Sequence, residues 1–338
     1  MIALAERLEF ALPAELEAHE PPEARGLARD QVRLLVSQTA RGEEVDARFD
    51  ELPGFLRGGD VLVVNTSATL PAALPATTTQ GIAIAVHVST ALPAGLTVIE
   101  PRHAQLSAGE LLSLPAGGSA TLLARYRSSQ RLWIASLRLP QPLIPFLHAW
   151  GKPIRYPYVR EEWPLESYQT VFGLHPGSAE MPSAGRPFSA RVLAQLVAKG
   201  VIIARLTLHC GVASPEHDEP PYEEYFSVPP ETAAAVNDAR GTGRRVVAVG
   251  TTVARALESA LDERGRVAAA RGWTDHLISP HEPVRSFDAL LTGFHEPRST
   301  HLALLRGLAS EAELRRAYRA ALARRYLWHE FGDVHLIL

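Results

Sequence analysis

The sequence predicts a mixed-sheet α/β domain interrupted by a small antiparallel β-barrel, and three observations carry that prediction. After Trp150, apolar strand-like runs alternate with helix-like runs, the pattern of an α/β sheet. Between Pro71 and Pro145 the pattern gives way to short apolar runs, "IAIAVHV", "LTVIE" and "RLWIASLRL", separated by Pro, Gly and Thr. Short strands at close spacing with turn signals between them suit a small barrel or sandwich. Before that stretch stands "DVLVVN" (Asp60 to Asn65), a strand that the later α/β segments need in the same sheet. The expected division is a discontinuous α/β domain, 1–70 with 151–338, and an inserted β-barrel domain, 71–150.

Along the chain, "SARVLAQLVAKG" (Ser189 to Gly200) has a serine cap, helical apolar spacing and a terminal glycine. "VIIARLTLHC" follows as a buried strand. "PPETAAAVNDARGTG" reads as a helix with Pro230 in its first turn and Gly241 as its stop. "VVAVGTTVARALES" runs from strand to helix across Gly250, Thr251 and Thr252. It lacks the further glycines of a dinucleotide loop and the Gly-Lys-Ser/Thr of a P-loop. "FDALLTGFH" is a further strand. Ser310 and Glu313 form a capping-box signature before a long helix ending near Tyr326, and "VHLIL" closes the chain as a strand.

Composition narrows the function classes. A formal net charge of -3 argues against a generally basic nucleic-acid binder, though a local basic patch is compatible with it. One cysteine, Cys210, excludes an internal disulfide and a thiolate metal cage, and the histidines show no metal-ligand spacing. Glu6, Arg7 and Glu9 break the apolar core a signal peptide needs, and no apolar run is long enough to span a bilayer. A cytoplasmic protein without a membrane association or a metal is expected.

Four stretches concentrate polar residues at element ends. "YQTVFGLHPGSAEMPSAGRPFS" (Tyr168 to Ser189) is either a surface connection or a loop that grips a ligand before a helix N-terminus. In "TLHCG", His209 and Cys210 point to opposite faces of a strand, so they do not form a nucleophile pair, and Cys210 suits a small buried position. In "GTTVARALES", Arg255 and Glu258 stand three apart, as a pair on one helix face or as part of a site with the Thr251 and Thr252 hydroxyls. "TGFHEPRST" gathers His295, Ser299 and Thr300 around a proline.

In order, "LARDQVRLLV", "GDVLVVNTSATLPAAL", "YQTVF", "GSAEMPSAGRPF", "TLHCG", "GTTVARALES", "LLTGFHEPRST" and "FGDVHLIL" resemble the S-adenosylmethionine:tRNA ribosyltransferase-isomerase family of queuosine biosynthesis across nearly the whole chain. The resemblance implies an α/β domain with a β-barrel insertion. It also implies transfer and isomerisation of the ribosyl group of S-adenosylmethionine onto a deazaguanine base in tRNA, giving an epoxycyclopentane and releasing adenine and methionine. S-adenosylmethionine would be a co-substrate, with no other cofactor, and tRNA the partner.

Such chemistry needs a base beside the ribose carbon acidified by the sulfonium, and a carboxylate suits the sulfonium charge. The resemblance points to Glu258, Glu224, His209 and His295 as catalytic candidates. For substrate binding it points to Tyr168, Gln169, Thr170, Ser183, Gly185, Gly250, Thr251, Thr252, Arg255, Ser299, Thr300 and Asp333. The sequence departs from the family pattern at Ala68 and Ala73, where arginines are usual, at Pro187 and Tyr222, where histidines are usual, and at Gly293 in place of asparagine. These departures leave two further readings open: the same donor chemistry on a non-tRNA acceptor, and a non-catalytic RNA- or nucleotide-binding relative. The arginines of the last helix (Arg315, Arg316, Arg319, Arg324) offer either an RNA-facing surface or an ordinary solvated face.

Overall fold

A computed structural model describes residues 8, 10–127, 129–212, 222–297 and 299–338. In chain order the first part holds β1 (Arg33–Gln38), β2 (Glu43–Arg48), α1 (Leu52–Phe55), β3 (Val61–Asn65) and β4 (Ser67–Thr69). The middle holds β5 (Ala73–Thr78), β6 (Ala83–Ala91), β7 (Leu96–Pro101), β8 (Leu111–Ser113), β9 (Ser119–Arg125), β10 (Trp133–Arg138) and α2 (Leu143–Trp150). Then come β11 (His175–Ser178), α3 (Ala190–Ala198), β12 (Ile202–Leu208), β13 (Glu224–Val228), α4 (Pro230–Gly241), β14 (Val246–Val249) and α5 (Thr251–Ser259). The last part holds β15 (Ala270–Thr274), β16 (Ala289–Gly293), α6 (Thr300–Leu305), α7 (Glu311–Ala323) and β17 (Val334–Ile337).

Among the described residues the strands form a nine-stranded sheet, β15-β13-β12-β3-β14-β16-β17-β1-β2, and a closed barrel, β10-β7-β6-β5-β8-β9. The centre, β12-β3-β14-β16, is parallel, whereas β16–β17 and the outer pairs β12–β13, β13–β15 and β1–β2 are antiparallel. Every neighbouring pair in the barrel is antiparallel. The expected mixed α/β sheet with a small antiparallel barrel is thus the observed fold.

β3 shows why the run "VLVV" before Asn65 can be apolar throughout. Its alternate side chains enter two cores: Val61 and Val63 pack with residues of α4, α5 and α7, and Leu62 and Val64 with Phe188, Val192 and Leu196 around α3. A strand covered on both faces has no polar face to show. The barrel has its own core, including Leu74, Val86, Ile99, Leu122 and Trp133, capped by Phe146 and Leu147 of α2. Each apolar inward residue removed from water contributes about 1.5–3 kcal/mol.

Some local expectations shift by a few residues. Ser189 caps α3 by accepting from Val192 N, and Ser310 and Glu313 form the expected capping box of α7. α4 runs through Gly241, and the left-handed residue that turns the chain is Gly243 (φ 68°). The stretch from Tyr168 to Ser189 is not all loop. Within it β11 pairs in parallel with β4, where the Ser67 and Ser178 hydroxyls meet at 2.6 Å.

Of the arginines on and just after α7, Arg315 pairs with Glu311, Arg316 with Glu44 (3.0 Å) and Arg324 with Asp46 (2.8 Å), and Arg319 is exposed. No helix among the described residues is long and apolar enough to cross a membrane.

Gly177 sits against the His209 ring so closely that a Cβ there would stand 2.5 Å from ring atoms. Gly177→Ala is therefore expected to destabilise the chain by roughly 1–3 kcal/mol. Urea unfolding would measure this, and an unchanged midpoint would refute the contact.

Candidate functional site

The carboxyl ends of the parallel strands open into a cavity of about 340 Å³, walled on its other side by the barrel. Gly211 after β12, Gly250 to Thr252 after β14 and Thr292 to His295 from β16 line it, together with Ser89, Val98, Tyr126 and Leu132 of the barrel. This is where open α/β sheets bind ligands. Gly250 is the N-cap of α5 with φ 91° and ψ 157°, a conformation that a side chain makes costly, and a Cβ there would press on Ala184 at 3.3 Å.

The Arg255 guanidinium is buried beneath the cavity wall and each of its nitrogens is engaged. Nε donates to His276 O (3.1 Å), Nη2 to Thr274 O (3.1 Å) and Nη1 to the Glu224 carboxylate. The other oxygen of Glu224 accepts from Gly211 N at 2.8 Å. Arg255 therefore pairs across to β13 and not with Glu258 along its own helix. Glu258 Oε1 accepts from Arg285 N (2.8 Å), Ser286 N (2.8 Å) and Ser286 Oγ (2.6 Å), and Glu258 does not line the cavity.

Of the residues singled out from sequence, the cavity lining contains Tyr168, Ser183, Glu224, Gly250, Thr251, Thr252, Arg255, His295 and Ser299. Thr251 Oγ1 lies 3.1 Å from His301 Nδ1, and Thr252 Oγ1 accepts from Asn65 Nδ2 at 3.3 Å. Ser299 caps α6 by accepting from Leu302 N. His295 Nε2 lies 2.8 Å from Thr292 Oγ1, and its ring stacks on His301 at 5.2 Å.

The remaining candidates lie outside the lining, and their bonds say why. Gln169 ties itself to the backbone of Thr69, donating to its carbonyl at 2.7 Å and accepting from its amide at 3.1 Å. Thr170 Oγ1 accepts from Phe172 N, and Gly185 packs on Thr170 and Phe172. His209 Nδ1 lies 2.7 Å from Ser67 Oγ. Asp333 accepts from Arg33 N at 2.8 Å and Leu327 N at 2.7 Å. Thr300 opens α6, its side chain being outside the described atoms, and residues 213–221 of the loop after Val212 are also outside the described residues.

Sequence reasoning missed the far wall. The Tyr156 and Tyr158 rings stack at 5.6 Å, and Tyr158 stacks on His329 at 3.9 Å. Tyr156 OH donates to Glu180 and Tyr158 OH to Glu330. On the barrel side Tyr126 OH donates to Glu223 at 2.9 Å. The signals were present as "YPY" at 156–158 and "HE" at 329–330, but they match no motif with a known spacing.

Burial lifts Glu330 to about 7, against the pull of the Tyr158 hydrogen bond, so it exchanges its proton near neutrality. Burial drives His301 down to about 4, and it also drives His295 well below its ordinary value, helped by the neighbouring histidines. Both imidazoles are neutral at pH 7. Burial likewise raises the Cys210 thiol, which suits an inert core position. Among the described residues no group of three or more His, Cys, Asp or Glu is placed to hold a metal ion.

Glu258→Ala strips the acceptor from buried donors, each worth about 1–3 kcal/mol when left unsatisfied. The expected result is a lower urea midpoint with the cavity carboxylates undisturbed. A variant as stable as the parent would return Glu258 to the list of functional candidates.

The chain matches the family described as queuosine biosynthesis protein over residues 5–337. It is 37% identical over 343 residues to the S-adenosylmethionine:tRNA ribosyltransferase-isomerase of Symbiobacterium thermophilum, covering 98% of each chain. The enzyme of that name from Thermus thermophilus is 37% identical over 350 residues, covering 98% of this chain and 99% of the other. The crystal structure of the S-adenosylmethionine tRNA ribosyltransferase from Thermotoga maritima superposes with a TM-score of 0.57 at 30% identity, covering 98% of this chain and 99% of that one. With similarity running from end to end, this chain belongs to the queuosine biosynthesis family of S-adenosylmethionine:tRNA ribosyltransferase-isomerases.

Proposed function

We propose that the protein transfers and isomerises the ribosyl group of S-adenosylmethionine onto a deazaguanine base in tRNA, forming the epoxycyclopentane of epoxyqueuosine and releasing adenine and methionine. One observation carries the reading on the structural side. The described lining of the cavity holds five carboxylates, Glu180, Glu223, Glu224, Glu296 and Glu330, against one guanidinium, Arg255. Glu224 neutralises that guanidinium directly. Glu223 pairs with Arg127 outside the lining, and what remains, Glu180, Glu296 and Glu330, is acidic and suits a cationic ligand such as a sulfonium. Two opposite charges 4 Å apart interact by about 4 kcal/mol at an effective dielectric near 20, enough to select a cation over its neutral analogue. The cavity volume also falls in the range of roughly 300–1,000 Å³ usual for small-molecule sites.

In this reading the ribosyl fragment lies over Gly250 to Thr252, whose helix-start amides suit its oxygens. Glu224 is a poor base, because proton uptake would leave Arg255 buried without its counter-charge. Glu330 is the better one. It lines the cavity, and near pH 7 its carboxylate can take the proton of the ribose carbon that the sulfonium acidifies. The neutral imidazoles of His295 and His301 offer N–H donors or lone pairs to the departing adenine without adding positive charge beside the sulfonium. Residues 71–150, taken as an inserted domain, close the cavity from the barrel side.

Incubation with S-adenosylmethionine, with and without tRNA carrying the deazaguanine precursor, should release adenine and methionine only when that tRNA is present. Release without tRNA would favour a different acceptor, and no release at all would leave a binding protein.

S-adenosylmethionine should bind at least about tenfold more tightly than uncharged S-adenosylhomocysteine, equivalent to about 1.4 kcal/mol. Equal affinities by calorimetry would remove the electrostatic argument. A base must be ionised to act, so donor turnover should rise with pH through about 7, where Glu330 gives up its proton. Glu330→Gln should abolish that rise and slow turnover at least about a hundredfold. Retention of the pH profile would exclude Glu330 as the base.

A further inference from the structure

The barrel carries a second cavity, of about 510 Å³, that the reading above does not use. Its described lining includes Arg102, His103, Arg125, Arg131 and Trp133 around one carboxylate, Glu100. Glu100 is 1% exposed. Its Oε1 accepts from Arg102 Nη1 (2.9 Å) and Arg131 Nη1 (2.7 Å), and its Oε2 lies 3.0 Å from His87 Nδ1. Burial pushes the carboxyl up, but these hydrogen bonds and charges outweigh it and bring Glu100 down to about 2. The carboxylate therefore stays ionised and acts as a fixed peg that orients two guanidiniums. The third is held differently: Arg125 lies 3.9 Å over the Trp133 ring and donates to Gln130 O.

Three guanidiniums against one carboxylate leave this pocket positive, in a chain whose net charge is -3 and beside a first cavity that is acidic. Planar guanidiniums, held in place before a ligand arrives, match phosphate oxygens and lose little freedom on binding. The pocket is also close to the first cavity. Val98 and Leu132 line the first, whereas Glu100 on the same strand as Val98, and Arg131 and Trp133 on either side of Leu132, line the second. Two residues along β7 span roughly 7 Å. At that spacing the second pocket is within reach of the nucleotides that flank one whose base enters the first cavity. Of the alternative basic surface on the last helix, Arg315, Arg316 and Arg324 are already engaged by Glu311, Glu44 and Asp46, which leaves the exposed Arg319.

We propose that the Arg102–Arg125–Arg131 pocket of the barrel binds the phosphodiester backbone of the acceptor RNA beside the nucleotide that is modified. The proposal rests on the ribosyl-transfer reading and names where that acceptor is held.

The test uses the full chain with Arg125→Ala and Arg125→Glu. Arg125 is exposed and engages a ring face and a backbone carbonyl, so neither change should threaten folding, which thermal melting would verify. Affinity for tRNA is measured by fluorescence anisotropy across a salt series, affinity for S-adenosylmethionine by calorimetry, and inorganic phosphate serves as a competitor. Arg125→Ala should weaken tRNA binding about threefold to tenfold and reduce the magnitude of the salt slope by about 0.7–0.9, the loss of one phosphate contact. Arg125→Glu should weaken it further, and S-adenosylmethionine affinity should stay as in the parent. Parent-like tRNA affinity and slope in both variants would overturn the pocket while leaving the ribosyl-transfer reading intact. So would a variant that loses only competition by free phosphate. A parent protein that binds no tRNA would overturn both.

Discussion

The Arg255–Glu224 ion pair is the interaction on which the site's geometry depends. Arg255 is on α5, in the middle of the α/β core, and Glu224 begins β13 near the edge of the sheet. Through one guanidinium the helix is tied to β13, to the end of β15 at Thr274 and to the backbone of His276 beyond it. Through the other oxygen of Glu224 the tie extends to Gly211, where the chain leaves β12. A buried pair gains little net stability over a well-packed apolar pair, but breaking one costs about 3–5 kcal/mol, because a charge is stranded. Its value here is register. It sets the edge strands against the helix whose first turn faces the cavity, and it removes the one guanidinium among the described lining residues from the electrostatics of the site.

The consequence is a separation of charge over a short distance. The cavity at the carboxyl ends of the sheet is left with acidic groups, and the barrel pocket with basic ones. Net charge alone describes neither. A chain with a formal charge of -3 can hold regions of opposite sign side by side when charges are paired in burial, Glu224 with Arg255 and Glu100 with Arg102 and Arg131.

Much of the fold was legible in the sequence because it rests on periodicity and punctuation. The apolar run "VLVV" ending at Asn65 marked a strand, and prolines, glycines and threonines marked the short strands of the barrel. Caps at Ser189 and Ser310 were legible because capping depends on residues three apart. The candidate site was legible only where it sits on such elements, as at Gly250 to Thr252, and less so where it is made by pairing distant segments. Arg255 and Glu258 are neighbours on a helix, so local spacing suggested a pair. Tertiary structure instead offered each a better partner, a carboxylate on β13 for one and a set of donors at 285–286 for the other. Glu330 was invisible for the same reason. Its pKa near 7 comes from burial, which outweighs the opposing pull of the hydrogen bond from Tyr158, 172 residues away in the chain.

The placement of β3 also dictates an order of assembly. Its partners are β12 and β14, with Val61 beside both Ile202 and Val246, so the centre of the sheet joins residues far apart in sequence. Bringing such segments together requires closing long loops before the contacts reward it, which is intrinsically slow. The barrel strands instead pair within a continuous stretch, from Ala73 to Arg138. During synthesis the barrel can close while β3 still waits for strands not yet made. Until they arrive, both faces of β3 lack the helices and strands that cover them in the folded chain.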